Sequence, residues 1–495
     1  MSRRIALALA VAVALALVPA SQAGADFDFY GSGYGHGIGL SQHGALGLAH
    51  AGWEARRIVE NYFRNTNVGP RNPPNPEIKV GLVQHRSAVK LVASAGSFDL
   101  RLKSGKVVDT VEAGQSRVVA IQGGQYRVKR ASGESVGGPV GGTGNHMLAV
   151  RNGGRIGVPD WGHQVSRGYL QFDIVNATQA HLVAVLPVEH YVVGVSEVST
   201  AWHIEAQKAQ AILARSYAYW RLAGAPRSGC SCDLFGTSVD QVYTGWSKES
   251  SSGGDRWLSA VNQTSNEVVT YNGNYVYTPY SASSGGHTES IENVWPGAAP
   301  APWLKGVCDP HDDFGANPGT SWKVSFSPAQ VTDALRLGIG TIQRFSQYDR
   351  GVSGRVTKVK VVGSSGSRVV EGWDLRTELG LKDTRFFVNK NLNITGFIRD
   401  KYDQENCAPG RAEGPKRDVD GGAYQRFAHG RIYRNGGADR QVWVRGAVLD
   451  KYRAEGAHNG RLGLPLNYLK ISGGTKGVFD HGTIVCTGGC SVSYD

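Results

Sequence analysis

Beyond its first 25 residues the sequence has no apolar run long enough to cross a membrane as a helix, which excludes an ordinary helical anchor downstream of that point. Acidic residues are the scarcer charge: 41 Asp and Glu stand against 53 Lys and Arg, a formal net charge of +12. Cysteine is sparse, six in 495 residues, and Cys230-x-Cys232 with a distant His is a poor zinc spacing. No metal and no cofactor are therefore expected. The run Gly31-x-Gly33-x-Gly35 lacks the strand–loop–helix setting of a nucleotide fold, so a phosphate-cradling role is set aside.

What is present begins with a leader. Arg3 and Arg4 precede an apolar stretch from Ile5 to Val18, Pro19 breaks it, and Ala23 and Ala25 suit signal peptidase. Residues 1–25 are expected to be removed and the protein secreted, with no membrane span after cleavage. Losing two arginines and no acid takes the charge from +12 to +10. Export argues against nucleic acid as a partner and favours the anionic cell envelope, reached by long-range attraction. A secreted chain of about 470 residues implies two or three domains and favours disulfides over thiols. Cys486 and Cys490 suit a small closed loop. Cys230 and Cys232 lie too near each other to bridge easily, which leaves Cys308 or Cys407 as their expected partners, with the connectivity open.

The fold class expected is α+β. Residues 26–70 hold an alternating strand (Phe27, Phe29), a glycine-rich turn, a helix that Ser41 can cap, and a second helix over 54–63. Residues 71–185 read as a β-rich subdomain, with 136–145 a flexible excursion from it. Residues 186–397 form a core in which an apolar strand carries Glu197 to a helix over 203–222. Residues 398–422, polar and charged, read as a linker. Residues 423–495 repeat Phe-x-His-Gly-x-Ile at 427–432 and 479–484, the mark of a repeat module.

The segment LPVEHYVVGVSEVSTAWHIEAQKAQAILARSYA at 186–218 is the chemical centre of the chain. A carboxylate in so apolar a run costs free energy to bury unless it is paired or functional. Glu197 is thus either a catalytic acid or a surface group near a helix start. Lys208 and Arg215, two helical turns apart, either hold acidic substituents or form salt bridges, Glu205 lying one turn before Lys208. His36 either contacts a ligand or pins its own glycine-rich loop, and Ser41 and Gln42 share that ambiguity. Tyr280 and His287 rank first among Tyr243, Tyr280, Ser283, Ser284 and His287 along a possible groove.

Trp202, Glu205, Ala206, Lys208, Ala209, Gln210, Ala211, Ala214, Arg215, Ser216 and Tyr217, with DQVYTGW at 240–246 and YSASSGGHTES at 280–290, resemble the stage II sporulation protein D (SpoIID)/LytB family. GSGYGHGIGLSQHGALGLA at 31–49 resembles a second signature of that family, which in most members closes the domain; here it comes first. A circular permutation accounts for this and predicts strand 26–30 beside residues 385–397. Two departures are Leu40 for the usual Met and Ser199 for the usual Pro. Some members carry a His/Cys zinc site near the position of Cys230 and Cys232. RLGLP at 461–465 resembles the LGFP repeat of exported wall proteins, with Leu464 in place of Phe.

The resemblance implies a lytic transglycosylase acting on peptidoglycan glycan strands stripped of peptide, with Glu197 as acid and then base. It also implies that the C-terminal repeats hold cell-envelope polysaccharide, which would leave the protein cell-wall associated. The rival reading is a non-catalytic wall-binding protein or autolysin modifier. Hydrolysis would need a second carboxylate, for which Glu189, Asp240 and Glu289 are the candidates.

Overall fold

A computed structural model describes residues 25–70 and 75–495, so the predicted leader lies outside it apart from Ala25. The fold is α+β. Strand Phe27–Gly31 alternates buried Phe27, Phe29 and Gly31 with half-buried residues. It runs antiparallel between Trp322–Phe326 and Phe386–Val388, Phe29 lying opposite Val324 and Val388. The N-terminal strand therefore sits where the permuted order requires.

Ten strands between Glu77 and Phe235 form one sheet, antiparallel except where Leu234–Phe235 runs parallel to Glu77–Arg86. Its longest strand, Ala88–Leu102, buries Val89, Leu91 and Ala93, then Phe98, Leu100 and Leu102. The change of parity requires an irregular register, and the pairing with Met147–Val158 shifts between Ala93 and Ser97, where Gly96 takes a positive φ of 60°. Segment 136–145 is no free excursion: Val140 pairs with Tyr126 and Ser135 with Lys129, extending the sheet edge.

Helix Ile204–Leu222 is buried nearly all round, not along one face. Ala206, Ala209, Ala211, Ala214 and Ala218 let neighbours close on every side, and helices Gln42–His50, Ala55–Tyr62 and Gly254–Gln263 pack against it. The apolar run before Glu197 is a correction. Strand Gln179–Pro187 stops at the proline, and Val188–Val193 is a helical turn and a half that buries Val188, Tyr191, Val192 and Val193. Pro187 supplies the fixed φ (−56°) of its N-cap. Glu197 thus sits on a loop between two helices.

The expected linker at 398–422 is a second correction. Helix Gly396–Gln404 buries Ile398, Arg399 and Tyr402 and pairs its charges along its own length, Arg399 with Asp403 at 2.6 Å and Lys401 with Glu405 at 2.6 Å. It opens the first of two repeats. Gly396-Phe-Ile-Arg-Asp-Lys-Tyr402 returns as Gly446-Ala-Val-Leu-Asp-Lys-Tyr452, each helix serving a four-stranded sheet. The module therefore begins near 395 rather than 423. Cysteine pairing is the third correction: Cys230 bonds Cys232 across Ser231, whose φ of 53° turns the chain back, and Cys308 bonds Cys407. Cys486 bonds Cys490 as expected.

Candidate active site

Glu197 is held from behind. The Ser196 amide donates to the Val242 carbonyl at 2.7 Å, and the Val242 amide donates to Glu197 Oε1 at 2.6 Å. Gln42 Nε2 donates to the Glu197 carbonyl at 3.3 Å and to Gln210 Oε1 at 3.2 Å. A relay of donors reaches the carboxylate from the side: Tyr191 to Gln241 at 2.7 Å, Gln241 to the Tyr280 hydroxyl at 2.9 Å, and Tyr280 to Glu197. Buried Lys248 donates to the Val198 carbonyl at 2.6 Å.

These groups pull the Glu197 pKa both ways. Desolvation raises it, while the Val242 amide, the Tyr280 hydroxyl and the Lys248 charge lower it. Desolvation is the largest effect, and the net shift is upward. Burial pushes Lys248 down to about 8, against the attraction of Glu197.

Glu197 opens on a cleft of about 480 Å³. Trp295, Trp373, Tyr277 and Tyr217 line it, and the Trp295 ring meets Trp373 edge-on at 6.4 Å. His36 enters from the glycine-rich loop, its ring 5.4 Å from Trp295. Its Nδ1 accepts from the Ile38 amide at 3.0 Å, and the ring also bonds the Tyr280 backbone. Burial and the nearby Arg376 and Arg355 push its pKa down to about 3. His36 is thus held neutral, walling the cleft and pinning its own loop. The loop that carries it fits only because Gly37 has a φ of 70° and no Cβ; a Cβ there would lie 2.1 Å from Arg355 Cζ. Arg355 is wholly buried and holds Asp383 with two bonds of 2.8 and 2.9 Å.

Of the sequence-selected residues, Glu197, His36 and Tyr280 meet in the cleft, and Gln42 supports Glu197 from outside it. Lys208, Arg215, Ser41, Tyr243, Ser283, Ser284 and His287 do not line it. Arg215 is 0% exposed and clamps Glu189 through bonds of 2.9 and 3.0 Å, so it is a structural cation. Lys208 closes on Glu205 at 2.7 Å, and Glu205 also caps Ala55. Ser41 caps its helix at Gly44 and donates to Asp312 at 2.5 Å. His287 is bound through Nδ1 to the Thr288 carbonyl at 2.6 Å. Ser283 and Ser284 bind the buried Asp312 and Asp309, and Tyr243 is stacked between Trp161 and Tyr191.

Arg376 and Trp373 escaped the sequence reading because an Arg and a Trp on a short amphipathic helix carry no local signal. The structure brings them to the cleft: the Arg376 guanidinium lies 4.7 Å over Trp373, Nε donates to the Lys382 carbonyl at 3.2 Å, and no carboxylate among the described residues is in ion-pair contact with it. Asp240 also borders the cleft, but its side chain is 0% exposed. It accepts from Tyr217, from Arg227 and from the Phe235 amide at 2.8 Å.

Comparison with known proteins places this site in a family context. Residues 176–271, which include Glu197, match the family described as stage II sporulation protein, and residues 408–460 match the LGFP repeat. The chain carries a stage II sporulation protein domain and an LGFP repeat. It is 27% identical over 230 residues to stage II sporulation protein D of Bacillus amyloliquefaciens, covering 44% of this chain and 64% of the relative. An uncharacterized protein of Brachyspira hyodysenteriae is 32% identical over 251 residues, 46% of this chain and 61% of the relative. The amidase enhancer of Bacillus subtilis is 32% identical over 143 residues, 29% of this chain and 17% of the relative. The chain thus spans less than two thirds of the length of each of these relatives.

Proposed function

We propose that this protein acts on the bacterial cell wall as a lytic transglycosylase that cleaves peptidoglycan glycan strands. The observation that carries the reading is the Glu197 carboxyl group, with a raised pKa in an aromatic cleft. A carboxyl group whose pKa is raised keeps its proton to higher pH than a free Glu and can give it to the glycosidic oxygen as its C1–O bond breaks. The ionised Glu197 then takes the proton of the same sugar's 6-hydroxyl as that oxygen bonds C1. The product is an anhydro sugar, no water is consumed, and Glu197 ends as it began.

Hydrolysis needs a second carboxylate free to activate water or attack the sugar. Glu189 is clamped by Arg215, and Glu289 is buried against Ser353 at 2.6 Å. Asp240 is saturated by Arg227, Tyr217 and a backbone amide. Arg376 takes the substituent-binding role considered for Lys208 and Arg215: it faces the carboxylate of an acidic amino sugar, a group whose charge is lost when a peptide is joined to it as an amide. The C-terminal repeats hold the enzyme to envelope polysaccharide and keep it on the wall.

The test incubates the protein and its Glu197→Gln variant with peptide-free and intact glycan strands and reads the products by mass spectrometry. Anhydro-ended fragments from the wild type alone are expected. Reducing-end fragments would overturn the transglycosylase reading in favour of hydrolysis. No cleavage, with retention on cell walls, would leave a wall-binding protein.

A further inference from the structure

The two C-terminal repeats meet along their edge strands, Arg440–Val444 of the first and Pro465–Ile471 of the second. These edges do not pair with each other, and between them and the C-terminal end of helix Gly396–Gln404 lies a groove of about 990 Å³. Its floor is an aromatic sandwich. The Arg445 guanidinium lies 3.8 Å over the Trp443 ring and 4.4 Å over the Tyr468 ring. The Tyr468 hydroxyl donates to the Arg445 carbonyl at 3.4 Å and ties one repeat to the other.

The charge of the groove is uneven. Lys401 is paired with Glu405 at 2.6 Å, and Asp439 is shared with Arg434 at 3.5 Å. Arg440, Arg445 and Lys470 have no carboxylate in ion-pair contact among the described residues, and Arg440 and Lys470 are exposed. Two ring faces hold the guanidinium plane of Arg445 without neutralising it, which leaves N–H groups at its edge for an acceptor. Three unpaired cations beside Trp and Tyr rings suit a ligand that offers anionic groups and flat sugar faces together.

We propose that this inter-repeat groove is a binding site for an anionic glycan, with Arg440, Arg445 and Lys470 facing its carboxylate or phosphate groups and Tyr468 a sugar face, while buried Trp443 holds the Arg445 plane from below. The site exists only where two repeats adjoin, so one repeat alone lacks it. It rests on reading the repeats as envelope-binding, but not on any activity of Glu197.

The experiment measures binding of the full chain to polygalacturonate, to poly(glycerol phosphate), and to neutral dextran of similar length, at about 50 and about 300 mM salt. Binding to either anionic polymer, weaker at the higher salt, with none to dextran, is expected. The two polymers separate a carboxylate from a phosphate source. Arg440→Gln/Lys470→Gln, two exposed positions, should weaken binding about tenfold, while Lys103→Gln/Lys106→Gln, two exposed lysines on the large sheet, should leave it unchanged.

Equal affinity for dextran, or no difference between the two double variants, would overturn the proposal. So would duplex DNA binding as tightly with the same variant sensitivity, which would mark a general polyanion surface. Sedimentation with purified cell walls separates the two levels. If wall retention persists but ignores Arg440→Gln/Lys470→Gln, only the groove is wrong; if the chain never sediments, the envelope reading of the repeats fails as well.

Discussion

The Val242 amide donates to Glu197 Oε1 at 2.6 Å across 45 residues of sequence. That bond ties Oε1 to the backbone of a distant segment and so orients the carboxyl group. It also stabilises the ionised form, so the raised pKa of Glu197 survives only because its desolvation is the larger effect.

Lys248 adds a charge that favours ionised Glu197. In Lys248→Met that charge is gone and the Glu197 pKa rises further. Because the first step needs the protonated acid, the alkaline limb of kcat should move to higher pH. A pH–rate profile of the two proteins checks this. A limb that stays in place would show that Glu197 does not set it.

Arg376→Gln should raise KM for peptide-free strands roughly tenfold, the lower end for losing a charge-assisted contact. It should have little effect on strands whose carboxylates are amidated. The wild-type preference for the free acid should therefore collapse. Kinetics on matched free-acid and amide substrates read the ratio directly. An unchanged ratio would remove Arg376 from substrate recognition.

Arg215→Met leaves Glu189 without the cation that clamps it, and breaking a buried pair from one side costs about 3–5 kcal/mol. The expected result is a large fall in thermal stability. At a temperature where the variant is still folded, KM should be close to wild type. A KM effect without a stability effect would restore the binding role that the sequence suggested.

Asp309 lies wholly buried beside Asp312, and desolvation first, then that neighbour, pushes its pKa up to about 8. The folded state thus holds a proton that the unfolded chain releases near 3.8. Its contribution to stability is complete below that value and is lost as pH rises through about 8. Wild-type Tm should therefore fall between pH 6 and pH 9 more steeply than that of Asp309→Asn, whose side chain is neutral at both. Equal slopes in a calorimetric series would assign the proton elsewhere.

Much was legible in local sequence. Alternation marked the strands of the large sheet, Ser41 announced a helix start, and the Phe-x-His-Gly-x-Ile recurrence announced repeats, because each of these depends on residues a few positions apart. The errors share a cause. The run 188–193 is apolar and β-branched but follows a proline at the end of a strand, and packing on the sheet makes it helical. The charged stretch 398–405 looked like a linker because its charged residues outnumber its two apolar anchors, Ile398 and Tyr402.

The sequence by itself determined the α+β class and the presence of a repeat module. Only the tertiary structure decided which cations are structural and which face the cleft. Arg215 and Arg376 are the same residue type with the same local promise; one meets Glu189 in the core and the other stands over Trp373 in the wall of the cleft. That choice depends on contacts far apart in sequence, and local patterns do not record them.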